Sequence, residues 1–238
     1  HGSTSPRRTL HRQHLWQRRQ RQRQNQRLRR KETTSGSKMI YLSGKKTECT
    51  EQIGVMLSFN AGKQSTSGHN LFAADNGCFV QADKYSNDGF LAWLDKLDRD
   101  ACLFATAPDV VGDAVATKDR AYPMLPRIQK LGFKAAYVCQ DGELPNTVEW
   151  SKLNAIFIGG STEWKLSQAA ADLVAEAKRR DKWVHMGRVN SFQRMRLAAA
   201  IGCDSVDGTM LAFAPDINKA KLNQWLYWLN EQPMLNML

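Results

Sequence analysis

Histidine is scarce in this chain of 238 residues: there are five, and only His69 and His185 lie beyond residue 38. No H-E-x-x-H helix, no Walker loop and no G-x-S-x-G elbow occurs, so zinc-protease, P-loop and serine-hydrolase chemistry lack their parts. Cys49, Cys78, Cys102, Cys139 and Cys203 stand apart, with no C-x-x-C pair and no Cys/His spacing that suits zinc. Their odd number, and the place of three of them in apolar runs, point to reduced thiols in a cytoplasmic protein. No metal and no cofactor is expected. No run of about 18 apolar residues exists, so no membrane-spanning helix is expected.

Acidic residues are almost missing from the first 38 positions. There, ten Arg and two Lys face a single Glu, whereas the following 200 residues hold 22 basic and 22 acidic side chains. The formal charge of +11 therefore belongs to the tail. That tail is Arg/Gln-rich and too poor in apolar groups to offset its chain entropy, so disorder or a marginal helix is expected. It has no apolar h-region of a secretory signal, and its Arg-Gln repetition lacks the apolar face of a transit peptide. Two readings stay open: a foreign leader ahead of a natural start at Met39, or a polyanion-binding arm.

From Met39 onward, short apolar runs alternate with longer amphipathic ones. Strands are expected in "MIYLS" (39–43), "GVMLSF" (54–59), "NLFAAD" (70–75), "CLFATAPDVV" (102–111), "KAAYVCQ" (134–140), "AIFIGG" (155–160), "KWVHMG" (182–187) and "CDSVDG" (203–208). Helices are expected over 87–99, 113–131, 146–152, 163–180, 190–201 and 216–230, with Ser191 or Asn190 capping the fifth. Strands that are apolar on both faces and alternate with helices mean a parallel sheet. About eight strands in 200 residues predict a compact (β/α)8 barrel of one domain, 39–238. An open doubly wound sheet fits less well, since no G-x-G-x-x-G follows the first strand.

Ligands in such folds bind at the carboxyl ends of the strands. The ends here carry Asp75 and Asn76, Asp109 and Asp113, Gln140 and Asp141, Gly159 and Gly160, Gly187 and Arg188, and Asp204 and Asp207. A lone Asp after a strand is commonly a helix cap. Six consecutive ends bearing polar groups or glycines predict an active site on one rim. Its parts are carboxylates, amides, backbone N–H groups and one Arg. Carboxylates suit glycosyl chemistry, one attacking the anomeric carbon and another handling protons. A carboxylate facing an amide and glycine N–H groups also suits a guanine-like edge. His185 lies inside an apolar strand and reads as core. Strand alternation puts Asp207 and Ser205 on one face and Asp204 on the other, which makes Asp204 a structural carboxylate. Lys45, Lys46, Lys63, Arg188, Arg194 and Arg196 are the cations available to make the rim locally basic.

The segments "DNGCF", "PDVVGD", "YVCQDG", "FIGG", "HMGRVNS" and "GCDSVDGT", in this order over residues 53–210, resemble the tRNA-guanine (queuine) transglycosylase superfamily. The style of "GRVNS" and "DSVDGT" is most similar to the short phage and bacterial enzymes that place 7-deazaguanines into DNA. The resemblance implies a (β/α)8 barrel that exchanges guanine in DNA for a base such as preQ0 through a covalent aspartyl-glycosyl intermediate. It implies location in the host cytoplasm if phage-encoded. Asp207 is the implied nucleophile and Asp75 the implied general acid/base. Asp113 is implied to accept from guanine N1–H and the amino group, with Gln140 and the Gly160 N–H facing O6. Gly159 and Gly187 line the same implied site. Asn76 stands where the family has serine, and Arg188 where it has a small residue. For Arg188, a phosphate contact and a packing or salt-bridge role both stay open. The stretch after "DGTM" has neither Cys nor His, so the zinc module with which the tRNA enzymes engage tRNA has no counterpart, which favours DNA. A tRNA-guanine transglycosylase, a non-catalytic nucleic-acid-binding subunit of that family and a sugar-phosphate barrel enzyme are the alternatives.

Overall fold

Every expected strand forms, and the eight close on themselves. The computed structural model describes residues 38–44, 47–59, 69–78 and 85–231; the expectations for the basic tail and for Lys45, Lys46 and Lys63 lie outside the described residues. The strands are β1 (Ile40–Ser43), β2 (Ile53–Ser58), β3 (Phe72–Asp75), β4 (Cys102–Thr106), β5 (Ala135–Cys139), β6 (Ala155–Ile158), β7 (Trp183–Met186) and β8 (Ser205–Gly208). Each pairs in parallel with the next, and β8 returns to β1 with Leu42 opposite Asp207, so the sheet is a closed (β/α)8 barrel.

Paired residues on neighbouring strands share a face, so the register sorts side chains into two layers. Leu42, Met56, Ala73, Phe104, Ala136 and Ala155 fill the barrel interior, with Phe157 and Trp183 packed against them. A larger layer lies between strands and helices and includes Tyr41, Val55, Phe72, Tyr137, Ile156 and Val206. Burial on both faces explains why these strands read as continuous apolar runs. Near the carboxyl ends the interior positions turn polar, with Ser58 opposite Asp75, His185 opposite Ser205, and Asp207 one step above Ser205.

The helices are α1 (Asn87–Leu94), α2 (Ala114–Ala121), α3 (Leu125–Lys130), α4 (Thr162–Lys165), α5 (Gln168–Arg179), α6 (Phe192–Ile201) and α7 (Pro215–Glu231). The helix expected over 113–131 is two: Pro123 and Pro126 have no N–H to donate to the carbonyls four residues back, and the chain makes a turn between α2 and α3. The helix expected over 163–180 is broken at Ser167, whose extended backbone and hydroxyl cap α5 at the Ala170 N–H. Residues 146–152 form two short 3-10 turns, Pro145–Thr147 and Trp150–Lys152. Ser191, rather than Asn190, caps α6; Asn190 Oδ1 instead accepts from the Thr209 N–H at 2.7 Å. The final helix ties back to the first strand, since Asn230 exchanges hydrogen bonds with the Met39 backbone. No helix among the described residues is long and apolar enough to cross a membrane.

Candidate active site

A cavity of about 420 Å³ opens at the carboxyl ends of the strands. Asp75, Asn76, Gln140, Gly159, Gly160, Gly187, Arg188 and Asp207 all line it, and Asp109 joins them. Met56, Val138 and Phe157 supply apolar wall. The fold thus gathers the strand-end residues of β3 to β8, as expected of a parallel barrel. Asp113 is not among them.

The exception has a local cause. Asp113 is the N-cap of α2, and its side chain accepts from the Ala116 N–H at 2.9 Å on the exposed surface. The chain reverses at Gly112 (φ +78°), between the two aspartates, and leaves Asp109 facing the cavity. The resemblance implies base recognition by Asp113, but the cavity carboxylate of this loop is Asp109. Replacing Asp113 by Ala is expected to cost about 1 kcal/mol in urea unfolding, as for a lost cap, and to leave activity within about twofold of wild type.

The three cavity carboxylates are held differently. Asp109 is clamped by two amides: Asn76 Nδ2 donates to Oδ1 at 3.0 Å and Gln140 Nε2 to Oδ2 at 2.7 Å. Both amides are themselves fixed, Asn76 by Thr106, Ala107 and the Cys78 N–H, and Gln140 by the Gly112 N–H. Burial pushes the Asp109 carboxyl above its ordinary value, against the pull of Asn76, Arg120 and Gln140. Asp75 accepts from the Ser58 hydroxyl at 3.0 Å and the Gly77 N–H at 3.3 Å. Burial first, then the nearby charges of Asp109 and Asp207, push it up to about 6. Asp207 takes the Arg188 N–H on Oδ1 at 2.8 Å and faces His185 Nε2 with Oδ2 at 3.2 Å.

The turn after β7 is built around Asp207. A Cβ on Gly187 would meet the Phe157 ring at 2.6 Å, so glycine alone lets the backbone pass this close. Arg188 adopts φ +58°, a strained conformation for a side-chain-bearing residue, and this aims its N–H at Asp207. Lys165, itself buried, donates from Nζ to the Gly187 carbonyl at 2.9 Å, and the Arg188 guanidinium reaches the Gly160 carbonyl at 2.8 Å. Burial, helped by the charge of Arg188, pushes Lys165 down to about 8.

His185 is in the core as read, fully buried between the rings of Phe104 and Phe157, but it also touches Asp207, a role the reading missed. The signal was present: His185 is two residues beyond Trp183, as Asp207 is beyond Ser205, and β7 pairs with β8. Ser58 was missed likewise, and only the β2–β3 register sets it opposite Asp75. Asp204 faces away from the cavity, binds Lys178 Nζ through both oxygens at 2.7 and 2.8 Å, and accepts from the Val184 N–H. Asp141 joins two loops by accepting from the Ser161 N–H and hydroxyl. Among the expected rim cations, Arg188 lines the cavity, and Arg194 and Arg196 lie on α6.

No family model matches the chain, and no curated protein matches it. Solved structures similar to it include tryptophan synthase from M. tuberculosis (17% identity, TM-score 0.44, covering 68% of this chain and 59% of that one). A mutant tryptophan synthase alpha-subunit of Pyrococcus furiosus gives 12%, 0.45, 70% and 68%, and 3-hexulose-6-phosphate synthase of Salmonella typhimurium 18%, 0.42, 67% and 74%. The chain thus spans less than two thirds of the first of these. The barrel architecture stands on the strand pairings themselves.

Proposed function

We propose that this barrel is a DNA-guanine transglycosylase that exchanges guanine in DNA for a 7-deazaguanine of the preQ0 type. The observation that carries the reading is the division of three carboxylates around one cavity, each held in a manner suited to a different task. Asp207, oriented by two donors, is the nucleophile on C1′. Asp75, titrating near 6, is the proton carrier. Asp109, clamped by Asn76 and Gln140, presents fixed acceptor lone pairs to guanine N1–H and the 2-amino group, the task the motif comparison had given Asp113. The second hydrogen of Gln140 Nε2 and the Gly160 N–H supply donors for O6. A cavity of about 420 Å³ is within the range of small-molecule sites and suits an extruded nucleotide.

The reaction runs as two displacements. Asp207 attacks C1′ as the glycosidic bond breaks, and Asp75 gives its proton to N9 of the departing guanine. The incoming base returns a proton from its own N9 to Asp75 and attacks C1′, breaking the aspartyl ester. Configuration is retained and protons balance over the cycle.

Incubation of the full chain with labelled preQ0 and either duplex DNA, single-stranded DNA or tRNA, followed by nucleoside mass spectrometry, tests the reading. A 7-deazaguanine deoxynucleoside, absent with an Asp207→Ala enzyme, is expected from DNA. Label in tRNA alone redirects the reading to the tRNA alternative, and no label in any substrate overturns it.

A further inference from the structure

Resting on that reading, the geometry points to a hydrogen-bonded relay, Trp183 to Ser205 to His185 to Asp207, that makes His185 the positioning residue of the nucleophile. The relay zigzags between two neighbouring strands and climbs from the amino end of β7 to the cavity at the carboxyl ends. Trp183 Nε1 lies 2.9 Å from Ser205 Oγ, Ser205 Oγ 2.8 Å from His185 Nδ1, and His185 Nε2 3.2 Å from Asp207 Oδ2. Positions 183 and 185 of β7 and 205 and 207 of β8 all face inward.

The donor inventory gives the relay a direction. An indole N–H can only donate, so Ser205 Oγ accepts from Trp183. A hydroxyl oxygen can accept twice, so the direction is settled from the other end: the Asp207 carboxylate only accepts, takes a hydrogen from Nε2 and leaves Nδ1 bare for the Ser205 hydroxyl hydrogen. The imidazole proton therefore sits on Nε2 and points at Asp207 Oδ2. In the opposite tautomer, a bare Nε2 would confront an ionised carboxylate, and the buried Ser205 hydrogen would lose its acceptor. Asp207 and Ser205 thus set the tautomer from the two sides of the ring, and Trp183 holds the Ser205 hydroxyl in place. The rings of Phe104 and Phe157 pack against the imidazole and hold its plane.

This arrangement matters to a carboxylate that alternates between anion and ester. The Nε2–H supports the anion before attack, remains on the carbonyl oxygen while the ester exists, and meets the charge again as the ester breaks. With the Arg188 N–H on Oδ1, it fixes both oxygens so that a lone pair is presented to C1′.

Nitrogen-15 NMR of the histidine rings, in the full chain without substrate, tests the relay directly, with His185→Gln assigning the signals. A pyridine-like Nδ1 and a pyrrole-like Nε2 are expected; Ser205→Ala, which removes the donor to Nδ1, is expected to shift the Nδ1 signal toward that of a bare ring nitrogen, and Trp183→Phe to shift it in the same direction by less. In base exchange, those two variants are expected to lower kcat about 3–10-fold with KM within about twofold. His185→Phe is expected to lose about 30–100-fold in kcat, and His185→Gln, which keeps a donor toward Asp207, to recover most of it. If Trp183→Phe does not fold, Ser205→Ala carries the test. A wild-type ring with a pyrrole-like Nδ1, or with both nitrogens protonated, overturns the relay, as does a His185→Phe enzyme of unchanged kcat. An absence of base exchange with every nucleic acid removes the transglycosylase reading and leaves the NMR result to decide the relay alone.

Discussion

An Asp207→Ala enzyme is expected to lose base exchange by about 10⁴-fold or more, the scale of deleting a covalent nucleophile. In the proposed exchange, alanine removes the atom that bonds to C1′, and the other two cavity carboxylates are held elsewhere. Asp75 is tied to Ser58 and Gly77, and Asp109 to Asn76 and Gln140. Asp207→Asn is expected to fall almost as far, because an amide oxygen is a poor nucleophile even where it can still accept from the Arg188 N–H. Two measurements separate chemistry from folding. Exchange of labelled guanine into DNA reports turnover. A protein–DNA adduct that survives denaturation reports the glycosyl-enzyme, and is expected in wild type alone. Asp207 lies at the end of β8 and lines the cavity, so the melting temperature is expected to move by only a few degrees. An Asp207→Ala enzyme that exchanges guanine within about tenfold of wild type would refute the nucleophile assignment.

What was legible in the sequence, and what was not, divides at the ends of the strands. All eight strands were readable because both their faces are buried, which leaves an apolar run that no neighbouring helix imitates. Asp204 and Asp207 were separable because strand alternation still holds there, and the structure sends one to Lys178 and the other to the cavity. Past β4 that periodicity stops. Asp109 and Asp113 were equivalent in the sequence, and only the backbone turn at Gly112 decides which meets the cavity and which caps a helix. His185 and Ser58 needed the pairing of specific strands, a long-range fact that one strand's pattern does not hold. The break between α2 and α3 is different, since Pro123 and Pro126 announced it and the apolar pattern outweighed them.

Asp75→Asn is expected to disable the enzyme and stabilise the fold, and pH ties the two effects together. Loss of the proton carrier is expected to lower turnover about 10²–10⁴-fold. In the proposed exchange, guanine release in a single turnover needs protonated Asp75, so its rate is expected to fall as pH rises through about 6. The charge of Asp207 is among the causes holding that value up. Once Asp207 is esterified its charge is gone, so less opposes the ionised form of Asp75, which waits as the base. The stability effect follows from the same shift. The carboxyl titrates at about 6 in the folded protein against 3.8 ordinarily, so between these values the folded chain keeps a proton that the unfolded chain has released. Folding is therefore weakened as pH rises through that window, and fully so above it, by at most about 3 kcal/mol. An Asn at position 75 carries no charge to desolvate and retains an oxygen for Ser58 and Gly77. Asp75→Asn is thus expected to gain about 1–3 kcal/mol in urea unfolding at pH 8 and nothing near pH 3, after allowing for solvent at the cavity mouth. A variant less stable than wild type at pH 8, or equally stabilised at both pH values, shows that Asp75 is not a carboxylate held at a cost for proton transfer.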